Sequence, residues 1–237
     1  MTERSKDILI ATVKEYIRTG SPVSSKALFR DFEFGIRPAS IRAELNNLEE
    51  SGWLEQPHVS GGRIPTDKAL ELFFDNVRNE LNVKRNNEKK FINLAELIID
   101  GELKTFVQEM SRSLHLLSAG LIDENLYMYS SGLDELFSCI EYPSSKIFYE
   151  IAKEVECLEG RMTELLEDSE SNANEGPKAL IGKKSPLIKN EQICTVFDIF
   201  EINNSRMIFA TFGPGSMDYE KNFKVFLTLR ETLLNHE

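Results

Sequence analysis

Residues 37–66 read RPASIRAELNNLEESGWLEQPHVSGGRIPT and contain, in order, a helix start, an amphipathic helix, a glycine stop and a short polar loop. Pro38 suits the first position of a helix, because its missing N–H needs no partner there. At about 100° per residue, Ile41, Leu45 and Leu48 fall on one side of that helix. We therefore predict an amphipathic helix that begins at Pro38 and packs this apolar side inward.

The other side of the same helix is small and able to form hydrogen bonds. Small residues let a helix approach the edges of bases, and Arg, Asn and Ser side chains pair with those edges. Taken alone, such a face is also compatible with an ordinary solvated helix surface. The residues of this outer face are Ala39, Ala43 and Asn46, flanked by Ser40, Arg42 and Asn47.

Two further helices and a hairpin are predicted around this element. The segment SKDILIATVKEYIRTG carries an apolar stripe at helical spacing and ends at Gly20. The segment SPVSSKALFRDFEFG predicts a short second helix, capped by Ser24 or Ser25 and ended at Gly35. After the third helix, GWLEQ and RIPT predict two short strands around a VSGG tip. This order is that of a winged helix-turn-helix, and it is more specific than any single residue in it.

The net charge of −11 gives no positive support for nucleic acid as a partner. The acidic excess is uneven, however. Residues 1–79 hold 11 cationic and 12 acidic side chains, whereas residues 80–237 hold 17 and 27. A nearly neutral first domain can bind DNA if its few cations share one face. We predict a domain boundary near residue 79.

Cysteine use and hydropathy indicate a reducing compartment. Cys139, Cys157 and Cys194 lie outside any CxxC spacing, and the first residues do not read as a secretory signal. No apolar run approaches the roughly 20 residues that a membrane helix needs. We therefore expect a cytoplasmic protein without disulfides and without a membrane partner.

Residues 80–237 predict a mixed α and β domain joined by a helical linker. Apolar residues recur at helical spacing over Phe91–Ile98 and Leu103–Leu117, with a break at Asp100–Gly101. The runs ICTVFDIFEI and SRMIFATFG predict a hairpin around an Asn203–Ser205 turn. SSKIFYEIAKEVECLEGRMTELLED and EKNFKVFLTLRETLLN predict one helix each, and DSESNANEGPK predicts a polar, turn-rich loop.

Catalytic, metal and cofactor sites are not indicated. His58, His115 and His236 are far apart in sequence, and no GxSxG, HExxH or Walker loop is present. His58 has either a phosphate contact or a packing role in the hairpin tip. The segment GPGSMDY predicts a structural turn held by Asp218 and Tyr219 rather than a ligand loop. We predict a protein that is not an enzyme and that uses no cofactor.

Three segments resemble the bacterial heat-inducible transcription repressor family HrcA: VKEYIRTGSPVSSKAL, the stretch from Arg37 through ALELFFD, and FGPGSMDYEK. In that family a Gln-Pro-His turn leads into a Gly-Arg-Ile-Pro-Thr-Asp wing, matched here by Gln56, Pro57 and His58 and then by Gly62–Asp67. The resemblance implies a winged helix-turn-helix followed by a reduced GAF-like α+β domain. It also implies a homodimer that binds an inverted-repeat DNA operator upstream of chaperone genes, with a chaperonin as a modulating partner.

The chain departs from the family pattern in three places. HrcA-like chains carry a long additional segment where this sequence passes through Asp123–Asn125, which leaves the usual dimer interface undefined. Ser216 stands where the family commonly has arginine, and Gly61 stands where alanine is common. A protein-interaction adaptor and a small-molecule-sensing regulator of other genes are the alternative functions.

The expected DNA-binding residues follow from the predicted outer face of the third helix and from the elements beside it. Arg suits guanine O6 and N7 and Asn suits adenine N6 and N7, so Arg42 and Asn46 are expected at base edges. Arg42 has a competing role as a partner of Asn46, and Arg63 as a partner of Glu55 across the hairpin. The remaining candidates contact bases or phosphates, and the full set is Lys26, Arg37, Ser40, Arg42, Asn46, Asn47 and Arg63.

The two apolar stripes at residues 94–117 have two competing roles. They provide a dimer surface, because an inverted repeat requires a two-fold dimer. Alternatively, they pack within one chain against the strands predicted at Ile193–Ile199 and Met207–Phe212. We expect a dimer formed through the second domain.

Overall fold

The computed structural model describes residues 1–57, 61–83, 89–124, 127–140, 144–168, 176–202 and 205–234. Helices and antiparallel strands are both present, which confirms the α+β class. The chain divides into two units, one of Met1–Val77 with Gly215–Met217 and one of Arg78–Pro214 with Asp218–Glu237. Within the described residues, no helix combines the length and apolarity needed to span a membrane.

The first unit contains three helices followed by a two-stranded antiparallel hairpin, in the order that the sequence predicts. Leu54 pairs with Pro65 and Glu55 pairs with Ile64 in that hairpin. A fourth helix follows directly and extends beyond the unit. The elements are α1 (Glu3–Thr19), α2 (Ser25–Asp31), α3 (Pro38–Glu50), β1 (Leu54–Glu55), β2 (Ile64–Pro65) and α4 (Asp67–Val83).

Local sequence sets the ends of these helices. Gly20 ends α1 with a left-handed φ of 61°, and the Ser24 hydroxyl caps α2 by accepting a hydrogen bond of 3.2 Å from the Ala27 N–H. The predicted end of α2 at Gly35 is wrong, because the helix stops at Asp31. Phe32 already adopts an extended backbone, with φ −134° and ψ 140°. Gly35 instead lies in the turn that follows, with φ 67°.

The apolar side of α3 is buried in the first unit, as its spacing predicts. Ile41 is fully buried, and Leu45 and Leu48 are each 3% exposed. The residues that they join in the core of this unit belong to α1, α2 and β1. The fully or almost fully buried members are Ile8, Leu9, Val13, Leu28 and Leu54.

The second unit is built on a five-stranded antiparallel sheet. The strand order is β4-β3-β7-β6-β5, and the central β6 and β7 pair from Ile193↔Pro214 to Ile202↔Ser205. The predicted hairpin between these strands is therefore present, although Asn203 and Asn204 lie outside the described residues. The strands are β3 (Leu117–Ile122), β4 (Met128–Ser131), β5 (Lys178–Ile181), β6 (Ile193–Ile202) and β7 (Ser205–Pro214).

Helices pack against both faces of this sheet. On one face, α7 and α9 contact β3 and β7, and Ile208, Ala210 and Phe212 join the buried cluster there. On the other face, α6 contacts β3 and α10 contacts β6. The helices are α5 (Lys89–Ile99), α6 (Leu103–Leu114), α7 (Leu133–Ser138), α8 (Ser145–Glu156), α9 (Leu158–Glu167) and α10 (Tyr219–Leu234), and a short 3-10 helix spans Gly182–Lys184.

One prediction about helix length is wrong. The residues expected to form a single helix after Ser144 form α8 and α9, which meet at Cys157. Cys157 has φ −87° and ψ −3°, outside the geometry of a continuing α-helix. The break gives α9 its own buried stripe of Leu158, Met162 and Leu166.

The apolar stripes of α5 and α6 pack within the chain, which is one of the two roles that the sequence left open, and the other role, as a dimer surface, is wrong. Leu94 and Ile98 are 6% and 3% exposed, and α5 packs against α10. On α6, the Phe106 ring lies 4.9 Å from the Phe209 ring, edge to face. Gly120 of β3 allows α6 to approach closely, since an added Cβ would lie 3.1 Å from the Leu103 and Val107 side chains.

A buried ion pair links the sheet to α10. Arg230 Nη2 donates to Asp198 Oδ1 at 2.6 Å, and Arg230 Nε donates to Asp198 Oδ2 at 3.0 Å. The Asp198 side chain is 2% exposed. Burial raises the pKa of the Asp198 carboxyl above its usual range, although the Arg230 guanidinium acts in the opposite direction.

Replacing Arg230 should therefore leave a buried carboxylate without its cation. We expect Arg230→Met to lower the free energy of unfolding by about 3–5 kcal/mol near neutral pH. The deficit should shrink as the pH falls, because protonation of Asp198 removes the unpaired charge. Urea denaturation followed by circular dichroism at several pH values measures both effects. A pH-independent deficit, or none, would contradict this role, and the double variant with Asp198→Asn should regain part of the lost stability.

Candidate nucleic-acid interface

The outer face of α3 is exposed along its whole length. Ser40, Arg42, Asn46 and Asn47 are all exposed, together with the small residues Ala39 and Ala43. Because the opposite side is buried in the first unit, the helix presents this face to solvent in a fixed orientation. Hydrogen-bonding side chains separated by alanines give a surface that another molecule can approach closely.

The start of α3 adds positive character to this face. Arg37 is the N-cap residue of α3 and is exposed. Among the described residues, no side-chain hydrogen bond caps this end of the helix. The first turn carries no acidic residue, so the positive end of the helix dipole is not neutralised locally. Lys26, the remaining cationic candidate of the helices, is exposed on α2.

Arg63 differs from the other candidates, because its side chain is mostly covered. Its Nε lies 2.7 Å from Glu49 Oε2, and its Nη2 donates to Asn46 Oδ1 at 2.8 Å. Only 13% of the Arg63 side chain is exposed. The guanidinium therefore connects the hairpin to the last turns of α3, whereas the sequence offered either a DNA contact or Glu55 as its partner.

The backbone around Arg63 is fixed as tightly as its side chain. Arg63 and Val23 exchange two backbone hydrogen bonds of 2.8 Å, which join the hairpin to the segment before α2. Gly62 makes this approach possible. An added Cβ at Gly62 would lie 2.5 Å from the carbonyl carbon of Pro22, which is shorter than a normal contact between two carbon atoms. Gly62, which the sequence indicated only as the first residue of the wing motif, thus lets the hairpin lie against the segment before α2.

An aromatic groove beside the start of α3 was also missed from the sequence. It has a volume of about 780 Å³ and is open to solvent. The Phe29 side chain is 52% exposed, and the Phe32 and Phe34 rings stack with centroids 5.9 Å apart. The unusual spacing of three phenylalanines in FRDFEF is the signal that could have identified this groove. Its lining residues include Phe29, Phe32, Phe34, Ile36, Arg37 and Ser40.

The remaining candidates from the sequence belong to the second unit or lie outside the described residues. His58 and His236 lie outside the described residues. His115 caps α6 with φ 54°, and its Nδ1 lies 3.4 Å from Glu135 Oε1. Cys139, Cys157 and Cys194 are free, and burial raises the pKa of the Cys194 thiol to about 11. Within the described ranges, no group of three or more His, Cys, Asp or Glu residues could hold a metal ion.

The close approach at Gly62 yields a stability prediction. Gly62→Ala should lower the free energy of unfolding by about 1–3 kcal/mol, because the new methyl group meets backbone atoms that cannot move independently. Gly160→Ala is the matched control, since nothing lies within 4 Å of its added Cβ. Thermal and urea denaturation of both variants provide the measurement. Equal stability of Gly62→Ala and the wild type would show that the hairpin does not need this close contact.

Comparison with known proteins finds sequence relatives among bacterial repressors. The chain is 37% identical over 106 residues to the heat-inducible transcription repressor HrcA of Desulforamulus reducens, covering 41% of this chain and 30% of that protein. It is 52% identical over 75 residues to HrcA of Sorangium cellulosum, covering 32% and 22%. The matches thus span less than a third of the length of these relatives. No family model matches the chain.

A solved structure shares the fold. The crystal structure of a hypothetical protein is 16% identical, with a TM-score of 0.72, and covers 100% of this chain and 98% of that one. This similarity concerns the fold alone, because the sequence identity is low. The similarity to the repressors is one of sequence, and it confirms the resemblance indicated by the motifs. Over the matched stretches, the chain is similar in sequence to heat-inducible transcription repressors named HrcA.

Proposed function

We propose that this protein is a sequence-specific DNA-binding repressor of heat-shock genes. The observation that carries the proposal is the exposed outer face of α3, whose Arg, Asn and Ser side chains stand on a helix fixed by its buried side. The similarity to HrcA repressors supports the same function. The relatives are named as transcription repressors, and we propose that this chain likewise has no enzymatic activity.

In the proposed complex, α3 lies in the major groove of duplex DNA. The groove is wide enough for a helix, and its base edges carry a distinct pattern of donors and acceptors for each base pair. Arg42 and Asn46 contact base edges, and Ser40 and Asn47 contact bases or neighbouring phosphates. The first two helices hold α3 at its angle to the duplex, which is the role of a helix-turn-helix.

Phosphate contacts come from cations around α3. Arg37 stands at the helix start, where backbone N–H groups also favour an anion, and Lys26 is exposed on α2. Arg18 and Arg30 are less available, because both lie within 4.0 Å of Asp31. Arg63 holds the hairpin against α3 through Glu49 and Asn46 rather than reaching the DNA.

The division of the chain into two units supports a separate function for each. We propose that residues 1–79 form a winged helix-turn-helix, with β1 and β2 as the wing, and that residues 80–237 form a helical linker and a GAF-like regulatory and dimerisation domain. The separation of the two units between Val77 and Arg78 supports this boundary. An inverted-repeat operator, a homodimer and a modulating chaperonin remain proposals that rest on the family resemblance.

Arg42 provides the direct test of specific recognition. Selection from a random duplex library with the wild type first defines a preferred site. Arg42→Ala should then weaken binding to that site by about 1–3 kcal/mol and affect a scrambled duplex less, because a base contact is lost rather than a phosphate contact. Fluorescence anisotropy at fixed salt gives both affinities. Arg112→Ala, which removes an exposed arginine from α6, is the control and should leave binding unchanged.

Two results would contradict the proposal in different ways. Equal losses on both duplexes would make Arg42 a phosphate contact. If the wild type selects no sequence and its affinity for duplex DNA does not fall with salt, the protein is not a DNA-binding repressor. A protein-interaction adaptor is then the better explanation of the first unit.

Assembly on DNA yields a separate prediction. A small first unit with nearly balanced charge makes few phosphate contacts, so we expect two protomers on each inverted repeat. Analytical ultracentrifugation of protein with labelled duplex measures the stoichiometry. Halving the inverted repeat should reduce the affinity strongly and leave one protomer bound. A single protomer on the full repeat, with undiminished affinity on the half site, would contradict the dimer.

A further inference from the structure

The contact between Arg63 and Asn46 limits what Asn46 can offer to DNA. Arg63 Nη2 donates to Asn46 Oδ1 at 2.8 Å. A guanidinium carries only donors, so the atom of the carboxamide that faces it must be the oxygen. The amide nitrogen is therefore on the other branch of the side chain, with its two N–H groups available to another acceptor.

Arg63 is well placed to hold this orientation. Its Nε lies 2.7 Å from Glu49 Oε2, and Glu49 is three residues beyond Asn46 on the same helix. Two backbone hydrogen bonds to Val23 fix the main chain of Arg63, and its side chain is largely covered. An arginine held on both its backbone and its side chain loses little further freedom by orienting a neighbouring amide.

We infer that Arg63 is a positioning residue that sets the base preference of Asn46 by directing its amide N–H groups toward the DNA. This inference rests on the proposed function. An unrestrained Asn pairs with adenine through both of its polar atoms, accepting from N6 and donating to N7. The Arg63 guanidinium occupies one lone pair of Asn46 Oδ1, and its positive charge and bulk disfavour the approach of a second donor such as adenine N6. Asn46 then acts mainly as a donor and favours guanine, because guanine O6 and N7 are both acceptors.

The first step of the test identifies the base pair that Asn46 contacts. Random duplex libraries are selected with the wild type and with Asn46→Ala, and the position whose preference disappears in the variant is the Asn46 position. The wild type should prefer guanine there. Adenine at this position in the wild-type selection would overturn the inference, and so would a variant that loses preference at no position.

The second step removes the restraint. Arg63→Met has a long side chain without donors, so it should free the amide and reduce the guanine-to-adenine preference at the Asn46 position about tenfold, within the discrimination expected of one base contact. The preference at the Arg42 position should stay as in the wild type. A general loss of affinity at both positions would show that Arg63 only stabilises the fold, and an unchanged preference at the Asn46 position would also overturn the inference.

A second variant keeps the test independent of the stability of Arg63→Met. Asn46→Asp is an exposed substitution that keeps an oxygen for Arg63 and removes both amide donors. It should lose guanine and gain cytosine at the Asn46 position, because cytosine N4 is a donor. Retained guanine preference in Asn46→Asp would overturn the inference. Fluorescence of Trp53, the single tryptophan, reports the integrity of the first unit in every variant.

If the wild type binds no sequence selectively, the proposed function itself fails and the inference fails with it. That result differs from selective binding with an unchanged Asn46 preference, which contradicts only the role of Arg63. The two failures can therefore be told apart from the same set of selections.

Discussion

Everything at the candidate interface depends on the burial of one side of α3. Ile41, Leu45 and Leu48 are almost completely removed from solvent, and burial of such side chains contributes about 1.5–3 kcal/mol each. A rotation of the helix about its axis would expose them, so their burial fixes the direction of the outer face. The Arg63 guanidinium adds a second restraint near the other end of the helix, through Glu49 and Asn46.

The features that could be predicted from this sequence are those set by residues close together in the chain. The helical spacing of α3, the stop at Gly20 and the cap at Ser24 are local effects, and each is present in the structure. The side-chain partners of Arg63 could not be predicted from the sequence, since they depend on how the hairpin folds back over a helix 14–17 residues earlier in the chain. Glu55 is nearer in sequence, but the guanidinium lies against Glu49. The steric restriction at Gly62 could not be predicted either, because an added Cβ there would clash with Pro22, a residue distant in sequence.

The second unit shows the same limit. Apolar spacing in α5 and α6 establishes that each helix has a buried side, but it does not say whether the covering surface belongs to the same chain. The structure covers both stripes with α10 and the sheet, where Phe106 packs on Phe209. The pairing of Asp198 with Arg230 crosses 32 residues and had no signature in the sequence. The central β6–β7 hairpin was predictable, because its strands are consecutive and strongly β-forming.

The central claim is that the outer face of α3 occupies the major groove, and dimethyl sulfate footprinting tests it most directly. The reagent methylates guanine N7 in the major groove and adenine N3 in the minor groove. Wild-type protein on a selected duplex should protect guanine N7 within each half site, and Arg42→Ala should lose protection at one guanine. Protection confined to adenine N3, or unchanged methylation of guanine N7 in the bound complex, would contradict the account.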